Sequence, residues 1–234
     1  MKNLVKNLYN YFLDFAYPRI CVACEKQNST TESAICIECL MSLPRIDSQK
    51  SLNVELETKF FGKIAIQSVN SYLKFSKRGQ VRNILHSLKY KNNADLGVFL
   101  GRTYGTELKE NNVLKDIDGI IPIPLHEIKL KQRGYNQAEK FAAGLSESLE
   151  IELLNNTLLR SINTKTQAQA GGRLKRFKNL ENAFTLGSEG LGLKDKKIIL
   201  VDDVLTTGAT LETAGQVLLS AGVKELHIVT IASA

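Results

Sequence analysis

Residues 197–210, KIILVDDVLTTGAT, constrain this chain more than any other stretch. Ile198, Ile199, Leu200 and Val201 are apolar without alternation, which predicts a strand buried on both faces, as in parallel sheets. Asp202 and Asp203 follow at the carboxyl end of that strand, where ligands enter such sheets. Two adjacent carboxylates there can accept hydrogen bonds from vicinal hydroxyls and can hold Mg²⁺ directly or through water. Thr206, Thr207, Gly208, Ala209 and Thr210 then turn into a helix. Backbone N–H groups and hydroxyls converge on one point, which makes a phosphate cradle. Gly208 allows the close backbone approach and any positive φ the turn requires. No G-x-x-x-x-G-K-[ST] loop occurs anywhere in the chain, so the nucleotide-binding P-loop is excluded.

The rest of the pattern agrees with an α/β fold. Ile64–Phe75 reads as one or two strands, and Val81, Ile84, Leu85 and Leu88 lie at helical spacing. A short helix over 96–108, a strand from Gly119 to Ile123 closed by Pro122 and Pro124, and a helix from about Asn136 to Ser148 follow. Next come a strand near Leu153, a basic loop from Thr164 to Asn179, the strand 197–201, a helix from Thr210 to Ala221 and a last strand from Leu226 to Ala232. Apolar strands alternating with amphipathic helices imply a mainly parallel sheet with helices on both faces. With 234 residues the chain can hold such a domain and a small appendage. The boundary is expected in the polar connection from Asp47 to Thr58, giving residues 1–50 as one unit and 60–234 as the other.

The appendage is marked by Cys21, Cys24, Cys36 and Cys39, all the cysteines in the sequence, spaced Cys-x2-Cys-x11-Cys-x2-Cys. Two such knuckles can turn four thiolates toward one Zn²⁺, which takes them tetrahedrally at about 2.3 Å. A pair of disulfides would need an exported protein, and the N-terminal stretch interleaves Lys2, Lys6 and Asp14 with its apolar residues instead of massing them into a signal core. A redox pair would need a βαβ context that residues 1–50 lack. Four protein ligands leave no open coordination position, so the expected zinc is structural. Leu4, Leu8, Tyr11, Phe12 and Phe15 predict an amphipathic helix before the ribbon.

The net charge is +7, from 31 basic and 24 acidic side chains. Arg160, Lys165, Arg173, Lys175, Arg176 and Lys178 form a run without Asp or Glu, and Lys129, Lys131 and Arg133 form a second cluster. Both flank the expected site. On charge alone they read equally as solvated loops or as a polyanion-binding surface. No stretch reaches the roughly 18 apolar residues of a membrane span, and the chain is expected to be cytoplasmic.

The strand-Asp-Asp-x-x-Thr-Thr-Gly-Ala-Thr pattern resembles the type I phosphoribosyltransferase signature at every position. DGIIPIPLHE, residues 118–127, looks like the strand and pyrophosphate loop of that fold in the form seen in amidophosphoribosyltransferases, and KTQAQAGGRLKRFK, residues 165–178, is similar to their mobile basic loop. With the four-cysteine ribbon and Arg133-Gly134-Tyr135-Asn136-Gln137, the whole chain resembles the ComF family, whose members are associated with DNA uptake in competence and, in some bacteria, with gluconate use.

The resemblance implies 5-phosphoribosyl-1-pyrophosphate (PRPP) as ligand, with Mg²⁺. Asp202 and Asp203 would hold the ribose, Thr206 to Thr210 the 5-phosphate, and Arg173, Arg176 and Lys178 with Arg133 the pyrophosphate. A solvated loop is the competing account of those basic residues. Every cysteine belongs to the ribbon, so glutamine-dependent amination is not expected. The alternatives are a non-catalytic PRPP sensor, a single-stranded DNA-binding module using ribbon and basic loops, or a ribbon that docks on a competence helicase or transport complex. Zinc ribbons often mediate such contacts, though this one has no aromatic residue between Cys21 and Cys39.

Overall fold

The computed structural model describes residues 19–28, 33–47, 52–160 and 183–234. The expected N-terminal helix and the basic loop with Arg173, Arg176 and Lys178 lie outside the described residues. Four parallel strands form the central sheet in the order β1 (Ser68–Lys74), β6 (Glu225–Ser233), β5 (Lys197–Leu205) and β2 (Gly119–Pro122). The middle pair, β5 and β6, has no solvent-facing edge and is almost wholly buried through its apolar stretches. That is the physical meaning of IILV and LHIVTIA as runs without polar alternation.

Both edges of the sheet are extended by short pieces. Beside β2, Leu153 pairs in parallel with Ile120, with the Leu154 amide donating to the Ile120 carbonyl at 2.8 Å. The strand expected near Leu153 is therefore a single bridge. Beside β1, Arg45 pairs antiparallel with Leu73, and the Lys74 amide donates to the Pro44 carbonyl at 2.8 Å. Residues 158–160 (β3) and 184–186 (β4) form a separate antiparallel pair.

Helices cover both faces. On one side lie α3 (Gln80–Tyr90), α4 (Ala94–Glu110) and α6 (Gln137–Leu149), over a core that includes Ile199, Val201, Val229, Leu88, Leu100 and Phe141. On the other lies α7 (Ala209–Ser220), packed with Ile198, Leu200, Ile228 and Leu218. The ribbon, with its short helix α1 (Ile37–Ser42), joins the first of these cores: Cys21, Ala23, Ile35, Cys39 and Leu43 are buried in one cluster with Tyr72, Leu73 and Val81.

Two elements depart from the sequence reading. The connection from Asp47 to Thr58 contains a helix, α2 (Leu52–Thr58). Its residues are mostly good helix formers, and Leu56 finds a place in the core, so tertiary burial outweighs the polar composition. The expected short helix over 96–108 is 17 residues long.

α4 and α6 cross with almost no side chain between them. A Cβ at Gly101 would lie 2.1 Å from the Phe141 carbonyl oxygen, and one at Gly144 would lie 2.1 Å from that of Val98. Backbone cannot yield as a side-chain tip can, so the helices would have to separate. Gly144→Ala is therefore expected to destabilise the fold by about 2–4 kcal/mol, measured by urea unfolding. A loss below half a kcal/mol would show that the helices can spread at little cost.

Candidate functional site

The site forms where the burial of β5 ends. After the enclosed run from Ile198 to Val201, Asp202 and Asp203 return toward solvent, and both are only partly buried. Successive strand residues point to opposite faces. Asp203 meets Lys89 at the end of α3, with Nζ to Oδ2 at 2.7 Å. Asp202 accepts the Asp203 backbone N–H at 2.8 Å through Oδ1. Burial, and then the charge of Asp203, push the Asp202 carboxyl up to about 7.

Beyond them the chain turns into α7. Gly208 caps that helix in the left-handed region, at φ 82°, and no side chain caps the first turn. An uncapped first turn presents its N–H groups and the positive end of the helix dipole to an anion. A small hollow lined by Asp202, Thr206, Thr207, Gly208, Ala209 and Thr210 occupies this place. The turn is held from behind by residues that follow α2. Lys59 donates to the Thr206 carbonyl at 2.7 Å and to the Ala234 carbonyl at 2.6 Å. A Cβ at Gly208 would come to 3.0 Å from the buried Phe60 ring.

Next to this cradle lies a cleft of about 190 Å³ lined by Asp202, Asp203, Thr210, Lys89, Lys129, Arg133 and Arg160, among others. It brings two carboxylates and four cations to one place. Arg133 is oriented by Gln137, which accepts from Nη1 at 2.7 Å. Arg160 stands over the Phe184 ring at 5.3 Å; burial lowers its pKa and the charge of Asp202 opposes that shift. The residues between β2 and α6 set this wall. His126 accepts the Ile128 amide at 3.3 Å and caps α5 (Glu127–Arg133). Asn136 donates to the Ile123 carbonyl at 2.9 Å and caps α6. Tyr135 is buried, and its hydroxyl donates to the Leu88 carbonyl.

Of the residues singled out in the sequence, Asp202, Asp203, Thr210 and Arg133 thus line one cleft, and Thr206, Thr207, Gly208 and Ala209 line the adjoining cradle. Lys129 and Arg160 belong to the two basic clusters, but nothing local distinguishes them from their neighbours. Lys89 carries no sequence signal beyond following the apolar stripe of α3. The position of Lys59 depends on a contact 147 residues away.

The four cysteine sulfurs lie within 4.8 Å of one another, and none is in a disulfide. The Cys36 amide donates to Cys21 Sγ at 3.3 Å, and Gln80 Nε2 donates to Cys39 Sγ at 3.3 Å. Donors aimed at sulfur suit thiolates, whereas burial and then the neighbouring sulfurs push the Cys39 thiol up when no metal is bound. Burial raises the Cys21 thiol, yet backbone hydrogen bonds from Cys36, Cys24 and Ala23 outweigh it and bring it down to about 7. Such a cluster can bind a metal ion such as zinc.

Residues 121–234 match the phosphoribosyl transferase domain model. The chain is 38% identical to competence protein F of Haemophilus influenzae over 55% of this chain and 56% of that protein. It is 30% identical to the DNA utilization protein YhgH of Escherichia coli O157:H7 over 62% of this chain and 63% of that protein, and 30% identical to competence protein ComFC of Bacillus subtilis over 44% and 39%. The matched region spans about three-fifths of the length of the first two relatives. The chain is homologous to competence protein F, YhgH and ComFC, and has the type I phosphoribosyltransferase fold.

Two outcomes test this description. The Asp202 carboxyl is raised in the folded chain, so its contribution to stability is full below about pH 4 and is lost as pH rises through about 7. Asp202→Asn removes that dependence, and its melting temperature is expected to exceed the wild type by more at pH 8 than at pH 5; an equal difference at both would contradict it. Because the cysteines share a core with β1, Cys36→Ser is expected to lower the melting temperature of the whole fold by about 5 °C or more, followed by circular dichroism.

Proposed function

We propose that the chain binds PRPP with Mg²⁺ in the cleft at the end of β5. The observation that carries this is the convergence, within one cleft, of two carboxylates, four cations and the uncapped first turn of a helix. A 5-phosphate fits the cradle from Thr206 to Thr210, where backbone amides and hydroxyls replace its water. Asp202 and Asp203 accept from the ribose hydroxyls. Lys89, Lys129, Arg133 and Arg160 face the pyrophosphate, and Arg173, Arg176 and Lys178, outside the described residues, are proposed to join them.

The carboxylates also fit Mg²⁺, a hard cation taking oxygen ligands. When bound, it would supply charge neutralisation at pyrophosphate. The chain's own groups do the rest. The C1–oxygen bond breaks and its electron pair leaves on pyrophosphate, whose growing charge the fixed cations stabilise. The oxocarbenium-like ribose is held by Asp202 and Asp203 while an acceptor's lone pair forms the new bond. The alternative is a sensor, in which the same contacts bind PRPP without transfer.

We read residues 1–50 as the ribbon unit, with zinc as its structural metal, and 60–234 as the phosphoribosyltransferase-like unit. The reduced thiols suit the cytoplasm. The relatives' names, competence and DNA utilization, support a role in DNA uptake.

Calorimetric titration with PRPP and Mg²⁺ is expected to show binding that Asp203→Asn weakens by about tenfold or more. Neither heat nor a thermal shift from the wild-type protein would overturn the reading. Pyrophosphate release with a member of a panel of bases and amines supports transfer; none with any of them favours the sensor.

A further inference from the structure

The turn that follows α2 meets the phosphate cradle from behind at three successive places. Lys59 Nζ donates to the Thr206 carbonyl at 2.7 Å, and the buried Phe60 ring packs against Gly208. Lys63 pairs with Glu212, in the first turn of α7, at 3.6 Å. The turn is also closed on itself, because Lys63 Nζ donates to the Lys59 carbonyl at 2.6 Å. Lys59 reaches further, to the Ala234 carbonyl at 2.6 Å, and the Ala234 amide donates to the Leu205 carbonyl at 2.9 Å. One ammonium thus joins the start of the cradle to the residue that follows β6. Lys59 is not among the residues lining the hollow, so it acts there through the backbone it holds.

We propose that Lys59 is a positioning residue of the phosphate cradle, setting affinity for the phosphomonoester end of the ligand and leaving the pyrophosphate end unaffected. In a trans peptide the C=O and the following N–H point to opposite sides, and the Thr206–Thr207 bond is trans. A Thr206 carbonyl drawn back to Lys59 therefore turns the Thr207 N–H forward, toward the hollow that both threonines line. Released from Lys59, the carbonyl is free to rotate toward the hollow, where its partial negative charge repels an anion. Gly208, at φ 82° and without a Cβ, offers little resistance to that rotation. Lys63 contributes in the same direction. Glu212 places a negative charge in the first turn of α7, where it opposes an incoming anion, and its pairing with Lys63 offsets that charge. Selectivity follows from place: Lys89, Lys129, Arg133 and Arg160, assigned to pyrophosphate, line the neighbouring cleft and are carried by other segments. Assigning the cradle to a 5-phosphate rests on the PRPP reading; the hold of Lys59 on the turn does not.

The test is calorimetric titration of the full chain with ribose 5-phosphate and, separately, with inorganic pyrophosphate and Mg²⁺. Lys59→Met keeps the apolar stem and removes the ammonium. It is expected to weaken ribose 5-phosphate by about tenfold and to change pyrophosphate by less than about twofold. Lys59→Arg retains charged donors and is expected to bring ribose 5-phosphate back to within about threefold of the wild type. A merely structural lysine would lower both ligands together. In the wild-type chain the Thr207 amide resonance is expected to move with ribose 5-phosphate and to stay with pyrophosphate, a measurement that needs no variant and decides the matter should Lys59→Met not fold. Unchanged ribose 5-phosphate affinity in Lys59→Met, an equal loss for both ligands, or a Thr207 amide that ignores ribose 5-phosphate overturns the positioning role. Ribose 5-phosphate binding with the full Lys59 effect but no PRPP binding overturns the PRPP reading and leaves the positioning role standing, while binding of neither overturns both.

Discussion

The candidate cleft is organised around the point where strand β5 stops being buried. Four consecutive aliphatic residues, Ile198 to Val201, are fully enclosed between helices on both faces and between β2 and β6 on both edges. That enclosure fixes the backbone of β5 more firmly than any loop could be fixed. Asp202 and Asp203 then inherit its position. A carboxylate on a mobile segment would relax toward water, but these two are held where one is desolvated and the other must find Lys89. The raised Asp202 and the Asp203 ion pair are thus two consequences of one constraint. Burial disfavours the first anion, and the second meets a cation 2.7 Å away.

The sequence made this centre legible because its information is local. A run of aliphatic residues, two carboxylates and a threonine-glycine turn lie within fourteen positions, each dictated by its own neighbours. The same holds for the cysteines, whose spacing alone brings four sulfurs together. What surrounds the centre was not legible, for a physical reason. Lys89 is one of several lysines near a helix end, and only the packing of α3 across the sheet selects it. Arg160 is one of a run of basic residues and differs from them by its place above Phe184. Lys59 and Phe60 follow a segment that reads as polar connection, yet α2 brings them beneath the turn at Gly208. Side chains that support a site from distant segments are chosen by tertiary contact, which periodicity does not record.

The ribbon is joined to this centre mechanically. Its buried cysteines share a core with Tyr72, Leu73 and Val81, and residues 44–46 continue as an antiparallel edge on β1. β1 pairs with β6, and β6 with β5. Gln80 binds Cys39 sulfur at the start of α3, and Lys89 reaches Asp203 from the end of the same helix. A rigid helix about 16 Å long, taking 1.5 Å per residue, therefore spans the distance from sulfur cluster to carboxylate. On the proposed reading, metal binding at the cysteines and ligand binding at the carboxylates would act on opposite ends of α3. Any tilt that the first imposes must be felt by the second, because the helix has no proline or glycine in its interior at which to bend. On this geometry the ribbon is a structural support of the cleft whatever it also contacts, and its four thiols constrain the site without approaching it.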